Sequence, residues 1–593
     1  MTSSNKNLSK RHPAAYAVAV AVLISVHAAI AAPPVSPPPP PPPDSGVLLE
    51  SVKPVPKLPP KETGNLIQAP PEARPALQPD TSLRVTLKSI RFSGVTKFSD
   101  AEMQALVKGD IGRELTFADL DAMTARVTKF YRDHGYFIAR AYLPQQNLGE
   151  GTLEILVLEG HIGKVDVKYN TAGPDISRSL LRGLVQDAVP ASDPVTVGAL
   201  ERGMLLENDI PNMTARATLI PGASVGTADL VLEANEGGWF NHDTIEADNA
   251  GSRYSGTGRL GGSANLVSPA GLGDLLSLRA LTSFDGFNYG RLSWSTPVTA
   301  TGLKLGLSGT YTNYKLGGPL EPLDDHGSAR VFSVFSVYPI IRSRFFDLYE
   351  TNTYEYKSLY DSAVTGTISH RKINVVSLGL NGDETDTWNG GGLTTFSGTL
   401  AFGHLGLLAD GADAAADATT ARTAGSYRKV LLSGARQQHL VGNLTVFGSV
   451  SGQYASKNLD SAESFTFGGP AGVRAYPVGE APADEGVLST LELRYNMMAP
   501  AHLGSLQYQL FYDNGQVRLH RSPWATYESS GAPNRYHLSS AGVGANLYRE
   551  DSLLVTAAVA HKIGSNPDPG LNDADADGRH ESVRFWLQAV KYW

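Results

Sequence analysis

The chain has 593 residues, of which 50 are basic and 58 acidic, and its formal net charge is −8. The length predicts several domains, and the mild, unclustered charge argues against a nucleic-acid-binding protein. The absence of cysteine excludes disulfides, thiolate metal sites and cysteine nucleophiles. A mean hydropathy of −0.16 excludes a polytopic helical membrane protein, but it is compatible with strands that alternate apolar and polar residues.

Residues 1–31 are typical of a secretory signal peptide. Lys6, Lys10 and Arg11 give it a positive start, an apolar run begins at Ala14, and a small-x-small cleavage signature ends this segment. A membrane anchor is the alternative, but the apolar core is short and a proline tract follows it at once. No later segment reaches about 18 apolar residues, so we expect no spanning helix after cleavage.

Residues 32–81 are a proline-rich linker. Its proline tract at 33–43 is interrupted only by Val35 and Ser36. Because proline fixes φ and lacks a backbone donor, this tract predicts an extended, semi-rigid tether. Residues 44–50 predict a short helix, which the prolines that follow from position 54 would end.

Two small modules of one topology follow, at residues 82–160 and 161–236. In each module the pattern predicts one strand, two helices and two further strands. In the first, Ser99 precedes an acidic first turn, and Thr116 with Asp119 three residues later is a capping-box signature. Tandem units with the same order of elements count as a repeat, which predicts two α+β modules.

Residues 237–593 predict an all-β transmembrane barrel of about 16 antiparallel strands. The clearest predicted strand alternates Leu506, Tyr508, Leu510 and Tyr512 with Gln507, Gln509 and Asp513. Phe511 is the exception on its polar face, and Phe447 is a similar exception in another strand. The predicted strands start near 239, 257, 274, 289, 302, 329, 344, 370, 392, 424, 440, 485, 506, 536, 553 and 582. Their connections alternate between short and long, as periplasmic turns and outer loops do.

The chain ends in an aromatic strand. A terminal strand that contains Phe585 and ends in Trp593 looks like the recognition signal of the outer-membrane assembly machinery. The alternative is a pair of ordinary interfacial aromatic residues, and both interpretations can hold together. We therefore expect outer-membrane lipids and the assembly machinery among the partners.

Two such modules and a barrel of this size resemble the transporter component of two-partner secretion, the haemolysin secretion/activation family. The modules resemble the POTRA modules of that family. The resemblance covers residues 82–593 and includes the stretches 206–211, 219–222, 248–254 and 271–274. It implies a barrel in the outer membrane of a Gram-negative bacterium, with the POTRA-like modules in the periplasm.

The resemblance also implies a lock inside the barrel. In this family the sixth outer loop folds back into the lumen, and its Val-Arg-Gly-Tyr tip pairs with the aspartate of a Phe-x-Asp-x-Gly motif on strand 13. The corresponding residues here are Val473, Arg474, Ala475 and Tyr476 in the loop and Phe511, Asp513 and Gly515 in the strand. Arg474 and Asp513 are the expected pair. Ala475 replaces the usual glycine, so a tip that required positive φ would be strained.

Strand alternation supports the same pair independently. Asp513 shares its face with Gln507 and Gln509, so we expect it to point into the lumen. A carboxylate in a confined lumen needs a cation, and an arginine fork matches it with two hydrogen bonds. The alternatives are a solvated loop arginine and one more lumen acid.

The function that the resemblance implies is protein export. The partner would be a large exoprotein with an N-terminal secretion domain, captured unfolded by strand addition to an exposed module edge and conducted outward. The helix at 47–50 would be a plug, and activation of the exoprotein on export stays open. An outer-membrane protein insertase and a passive porin are the alternatives. Insertases usually carry more modules, and a porin would have no use for any.

Other chemistry is not indicated. Asp573, Asp575 and Asp577 match the first half of a calcium loop, but Arg584 stands where the bidentate glutamate belongs, so a solvated acidic loop is the alternative. The 14 histidines form no recognisable catalytic pattern, and the glycine-rich stretches do not open helices. No enzyme activity and no cofactor are therefore predicted.

Overall fold

The computed structural model describes residues 43–52, 66–68, 84–171, 176–409, 411–498, 504–549, 552–567 and 574–593. The predicted signal peptide and Asp573 lie outside these ranges. Within them, no helix is both long enough and apolar enough to cross a membrane.

The two modules are α+β units with separate cores. The first contains β2 (Arg84–Thr86), β3 (Ser89–Ser93), α2 (Asp100–Val107), β4 (Glu114–Thr116), α3 (Phe117–Asp133), β5 (Arg140–Tyr142) and β6 (Thr152–Leu158). The second contains β7 (His161–Thr171), α4 (Arg178–Ala188), α5 (Val197–Asn208), β8 (Met213–Pro221) and β9 (Thr227–Glu236). Their sheets have the strand orders β3-β6-β5 and β8-β9-β7, and β2 pairs with β4.

Local sequence explains where the module helices begin and which faces they bury. Ser99 and Thr116 form capping boxes with Glu102 and Asp119 at the starts of α2 and α3. The apolar residues of α3 recur at spacings of three and four, and Leu120, Met123, Val127 and Tyr131 are buried in the first core.

One predicted strand in the first module is shorter than expected. The sequence predicts a strand over 136–143, but only Arg140–Tyr142 is paired. Tyr136 instead continues the helix end, where its ring packs edge-on against Phe98 and Tyr131. The strand is shorter than predicted because Tyr136 packs against these aromatic rings and does not pair in the sheet.

The linker contributes two ordered pieces. Helix α1 (Ser45–Glu50) begins at Asp44, whose side chain accepts hydrogen bonds from the backbone of Gly46 and Val47. Strand β1 (Ile67–Gln68) runs parallel to β8 and extends the sheet of the second module. The short helix predicted within residues 44–50 is therefore present.

The prediction of a sixteen-stranded transmembrane barrel is confirmed. Strands β10 to β25 form one closed antiparallel sheet in chain order, and β10 closes against β25. Their bounds are β10 Thr244–Asp248, β11 Arg259–Val267, β12 Leu275–Thr282, β13 Phe287–Pro297, β14 Lys304–Lys315, β15 His326–Ile341, β16 Phe346–Ala363, β17 Gly366–Asp386, β18 Gly392–Leu407, β19 Gly425–Val441, β20 Leu444–Ala455, β21 Glu485–Met498, β22 Ser505–Arg518, β23 Arg535–Arg549, β24 Leu553–Lys562 and β25 Val583–Tyr592. The first predicted start, at 239, is too early because the left-handed His242 (φ 51°) interrupts the run before Thr244.

Strand direction follows from connectivity. The second module feeds β10, so even-numbered strands run from the module side outward and odd-numbered strands return. The long connections at 408–424, 456–484, 519–534 and 563–582 therefore all lie at the outer end. Two further helices, α6 (Gly411–Thr419) and α7 (Ala525–Ser529), belong to these loops.

Candidate functional site

The loop between β20 and β21, residues 456–484, folds into the lumen, and we call it L6. Its side chains Phe467, Val473 and Tyr476 are fully buried and pack with Phe511 of β22 and Trp586 of β25. These apolar residues would lie in water if the loop stood on the outer surface. Their burial therefore holds the loop against the barrel wall.

Arg474 at the tip of L6 contacts Asp513 on β22, the thirteenth strand of the barrel. Its Nη2 and Nε donate to the two carboxylate oxygens at 2.7 and 2.9 Å, and its backbone N–H donates to the same carboxylate at 3.2 Å. Thr490 and Ser540 donate their hydroxyls to the same group, each at 3.0 Å. Asp513 is completely inaccessible to solvent, and these donors replace its water shell.

Two residues that the motif does not include complete this cluster. Glu492 on β21 accepts from Arg474 at 2.9 Å and from Arg494 at 2.7 Å. Two arginines thus face two carboxylates, and the cluster is formally neutral. Neither Glu492 nor Arg494 was identified from the sequence, although strand alternation would place both in the lumen.

The two aromatic exceptions to strand alternation belong to the same site. The guanidinium carbon of Arg474 lies 3.5 Å from the ring centre of Phe511, and that of Arg494 lies 4.0 Å from the ring centre of Phe447. Both rings therefore sit on the polar face because a lumen arginine stacks on them. A lone aromatic residue among the polar positions of a barrel strand was therefore the sequence signal that could have located each stacked arginine.

Gly472 in the tip of L6 and Gly515 on β22 are glycines because neighbouring atoms leave no room for a Cβ. Ala475 is not strained. A Cβ on Gly515 would come within 2.6 Å of the Phe467 ring, and a Cβ on Gly472 within 2.1 Å of the Phe467 carbonyl oxygen. Ala475 does not have positive φ and is fully buried, so the alanine is accommodated. The expectation that this position favours glycine does not apply here.

The last barrel strand and the loop before it support the tip from the other side. Trp586 Nε1 donates to the carbonyl of Arg474 at 2.7 Å, and Arg584 Nε to that of Ala475 at 3.2 Å. Arg584 also binds Asp575 at 3.0 Å and Asp577 at 2.9 Å.

The acidic stretch considered as half of a calcium loop is engaged in these ion pairs. Asp575 accepts from Lys562 at 2.6 Å as well as from Arg584. Arg584, which occupies the position of the missing calcium ligand, thus supplies positive charge to Asp575 and Asp577. Asp575 and Asp577 thus belong to a buried ion cluster that links the outer loop at 563–582 to L6.

Helix α1 lies inside the barrel beside L6, and Arg371 of β17 joins the two. The guanidinium binds Asp44 at the start of the helix at 3.0 Å and Asp460 of L6 at 2.9 Å. It also pairs with Asp361 on the neighbouring strand, which accepts the backbone N–H of Ser45 at 2.9 Å. One buried cation thus contacts the helix, the loop and the wall.

Lys357 of β16 performs the same role at the other end of the helix. Its Nζ lies 2.7 Å from Glu463 of L6 and 3.8 Å from Glu50 of α1. Lys429 of β19 also pairs with Glu463, at 2.8 Å. Alternation would place Arg371 and Lys357 in the lumen, but the sequence offered no signal for their partners.

Two carboxylates of L6 have raised pKa values. Burial, with the charge of Asp575 nearby, raises the pKa of Glu480 to about 7. Burial likewise raises the pKa of Asp484 to about 7, against the backbone N–H groups of Leu459 and Arg521 that hydrogen-bond it. Both pKa values therefore lie well above the ordinary range of a carboxyl group.

Comparisons with known proteins match both parts of this architecture. Residues 85–160 match the model of the "POTRA domain, ShlB-type". Residues 226–547, more than half of the chain, match the model of the "Haemolysin secretion/activation protein ShlB/FhaC/HecB". The chain belongs to the haemolysin secretion/activation family.

Several relatives of this family are similar over most of their length. The Haemophilus influenzae heme/hemopexin transporter protein HuxB is 28% identical over 509 residues, which cover 83% of this chain and 84% of the relative. The outer membrane transporter CdiB of Dickeya dadantii is 25% identical over 511 residues, covering 79% and 82%. The solved structure of CdiB from Escherichia coli superposes with a TM-score of 0.68 at 18% identity, over 88% of this chain and 92% of that chain. The family places the barrel in the outer membrane and the modules in the periplasm.

The second module of this family member docks on the periplasmic turns of the barrel through the end of α5. Arg342 joins Asp209 at 2.8 Å to Asp347 at 3.0 Å, and all three side chains are buried. Lys304 Nζ donates to the Asp209 carbonyl at 2.8 Å. The stretch 206–211 that carried the family resemblance is thus part of the contact between module and barrel.

The C-terminal aromatic residues have the positions expected of interfacial side chains. Phe585 and Trp593 are 52% and 63% exposed on the barrel exterior. The backbone N–H of Trp593 donates to Asp243, and the Phe585 carbonyl accepts from Asn249, so both help to close β25 against β10. Their role in assembly stays a prediction.

Proposed function

We propose that this protein is the outer-membrane transporter of a two-partner secretion system, which moves one unfolded exoprotein from the periplasm to the cell surface. The observation that carries the proposal is a lumen filled by two segments, α1 and L6, that contact the wall through ion pairs and side-chain packing rather than through strand pairing with the barrel. Such contacts can be exchanged without unfolding the barrel. The Arg474–Asp513 pair is proposed as the lock of L6, with Val473, Tyr476, Phe511 and Gly515 packing around it.

The lumen contains a cavity between α1, L6 and the outer loops. This cavity of about 1290 Å³ is lined by Asp44 and Val47 of α1, by residues 477–482 of L6 and by the outer loops. Helix α1 is therefore proposed as a plug that must leave together with part of L6 before a polypeptide can pass.

Substrate capture is proposed to begin at an edge of the second POTRA module. The sequence predicted an exposed edge, but part of the β8 edge is covered by the chain's own linker. The backbone N–H of Ala217 donates to the carbonyl of Leu66 at 2.8 Å, and the Leu66 side chain is buried in the module core. An extended substrate segment that added to β8 would displace this linker. Because the linker continues from α1, displacement would also loosen the plug.

The relatives support an exoprotein as the partner. One is named a heme/hemopexin transporter protein and two are named haemolysin transporter proteins, so each is named for the cargo that it transports. We propose that the cargo of this chain is likewise a large exoprotein with an N-terminal secretion domain. Outer-membrane lipids and the assembly machinery remain expected partners.

The test is export after deletion of this transporter. The exoprotein encoded beside it should vanish from the surface and the medium, and its periplasmic form should be degraded. Levels of unrelated outer-membrane proteins should stay normal, and an Asp513→Arg transporter should fail to restore export. Normal export together with depleted outer-membrane proteins would instead support the insertase alternative.

A further inference from the structure

Three cations lie on the lipid-facing side of neighbouring barrel strands: Arg330 on β15, Lys372 on β17 and Arg428 on β19. Strand alternation settles their direction. Val331, Arg371 and Lys429, the immediate neighbours of these residues, are buried in the lumen. The three cations therefore point away from the lumen.

Each cation lies at the outer end of its strand, just above the apolar belt. β15, β17 and β19 all begin at the outer end, and the three cations follow their first residues by four, six and three positions. Further in, exposed apolar residues occupy lipid-facing positions: Phe332 and Val334 on β15, Val376 and Leu378 on β17 inward of the polar Asn374, and Leu432 on β19. This is the depth at which the headgroups of the outer leaflet begin.

The strand register places the three cations along one stretch of the wall. Arg330 pairs with Ser358, which pairs with Lys372, so the first two lie about 10 Å apart across two strand spacings. Arg428 pairs with Phe402 of β18, which pairs with Val376 of β17, so Arg428 lies two strands across and four residues along from Lys372, about 16 Å away. The patch is defined here as Arg330, Lys372 and Arg428.

The cations of the patch have no carboxylate partner among the residues that the structure describes. The cations of the lumen, by contrast, pair with carboxylates. Two of the patch cations instead lie near belt aromatics. The guanidinium of Arg330 is 5.8 Å from the ring centre of Tyr311, and that of Arg428 is 5.9 Å from that of Phe402.

The patch differs from the other charges at the outer ends of the described strands because its three cations lack a carboxylate partner and occupy alternate strands. On β11–β13 and β25 the outermost lipid-facing positions are uncharged: Leu260, Thr282, Asn288, Val583 and Phe585. Lys315 on β14 pairs with Asp324, and Arg535 on β23 lies across from Arg518, which pairs with Glu485.

We propose that the patch binds the phosphate groups of a phosphorylated glycolipid in the outer leaflet. A lipid-facing cation without a protein partner costs free energy unless an anion of the membrane pairs with it. Arginine forks match phosphate oxygens, and lysine supplies a point charge to the same group. A lipid in this position would brace the outer ends of β15–β19, the strands whose inner face holds Arg371, Lys357 and Lys429 against the plug and L6.

The experiment uses the full-length protein, purified in detergent and titrated with lipid A that carries its phosphates. Native mass spectrometry measures bound lipid for the wild type and for the triple variant R330Q/K372Q/R428Q. We expect affinity to fall about a hundredfold, because each surface cation contributes about a factor of five. Heat-modifiable electrophoretic mobility verifies that the variant barrel is folded.

Controls separate a site from general charge attraction. Arg535 is an exposed lipid-side arginine at the outer end of β23, and R535Q should bind lipid A as the wild type does. Dephosphorylated lipid A should bind both proteins equally and weakly. The proposal is overturned if the folded triple variant keeps wild-type affinity, if R535Q loses as much, if dephosphorylated lipid A binds the wild type as tightly, or if inorganic phosphate alone displaces the lipid.

Discussion

Two ion clusters hold the contents of the lumen, and their charges are arranged in opposite ways. At the tip of L6 the moving segment carries the cation, Arg474, and the wall carries the carboxylate of Asp513. At the plug the wall carries the cation, Arg371, and the moving segments carry Asp44 and Asp460. The two clusters should therefore respond differently when the lumen opens.

The two clusters differ in which charged group on the wall loses its partner when L6 or α1 leaves. When L6 withdraws, Asp513 loses its cation Arg474 and keeps only the hydroxyls of Thr490 and Ser540 among its present partners. When α1 withdraws, Arg371 keeps Asp361 on the wall and remains paired. Breaking one partner from a buried pair costs about 3–5 kcal/mol. The plug is thus the easier segment to release, and L6 needs a replacement for its charge.

The largest effect should come from Asp513→Arg. The change places two arginines together at the tip and removes the acceptor of five hydrogen bonds, so we expect export to fall at least about tenfold. The exchange of both charges, Arg474→Asp with Asp513→Arg, should restore part of it. Restoration stays incomplete because Glu492 would then face a second carboxylate. The measurement is the amount of exoprotein in the medium.

A matched control tests whether any added lumen cation would act in the same way. Gln507 lies on the polar face of the same strand, six residues from Asp513, and its amide bonds Asn496 away from the tip. Gln507→Arg should therefore export normally. Full export by the single Asp513→Arg variant would remove the proposed lock.

Arg371→Gln should have the next largest effect, on the plug. The substitution leaves Asp44, Asp361 and Asp460 facing one another without a cation, and their repulsion favours departure of α1. In planar bilayers we expect the open fraction of the channel to rise about tenfold. His370→Gln is the control, since His370 is the adjacent residue on the lipid face and packs on Tyr360.

A second substitution shows whether Arg371 acts through the plug. If it does, Asp44→Asn should open the channel by itself and should add little in the Arg371→Gln background. Independent, additive effects would instead indicate that Arg371 stabilises only the wall and L6. If Arg371→Gln left the open fraction of the channel unchanged, hydrophobic burial would be enough to hold α1 in the lumen.

Sequence patterns were sufficient for the barrel because its strands have one repeating rule. The predicted starts at 392, 485 and 553 coincide with Gly392, Glu485 and Leu553, since a period of two with one apolar face is visible locally. The tip pair was predictable for a different reason. Its residues sit in two short motifs, and alternation alone directs Asp513 inward.

The plug cluster could not be predicted, because its partners are far apart along the chain and no pattern joins them. Ser461 donates to Asp44 across 417 positions, and Ser45 to Asp361 across 316. Alternation places Arg371 in the lumen but does not say which acids reach it. That depends on where the linker enters the barrel, as does the pairing of Ile67 with Ala217.

The last expected effect is a dependence of L6 on pH. It extends the comparison to carboxylates of L6 that lack a close cation partner among the described residues. The pKa of Glu480 is raised to about 7 by burial and by Asp575. Its closed-state neighbours are Asn566, the backbone of Ala576 and, more distantly, Lys562. A raised pKa means that the closed arrangement is most stable below the ordinary carboxyl range and loses stability as pH rises through about 7.

The open fraction of the channel should therefore increase between about pH 5 and pH 8, by about tenfold, and Glu480→Gln should flatten this rise. Asp484, whose pKa is also about 7, accounts for any slope that remains, so the double variant with Asp484→Asn should be nearly independent of pH. Glu528→Gln, on the neighbouring outer loop, should keep the wild-type profile because that carboxylate is exposed. An opposite slope would mean that ionised Glu480 stabilises the closed loop, and its hydrogen bonds from Asn566 and Ala576 would then outweigh the cost of its burial.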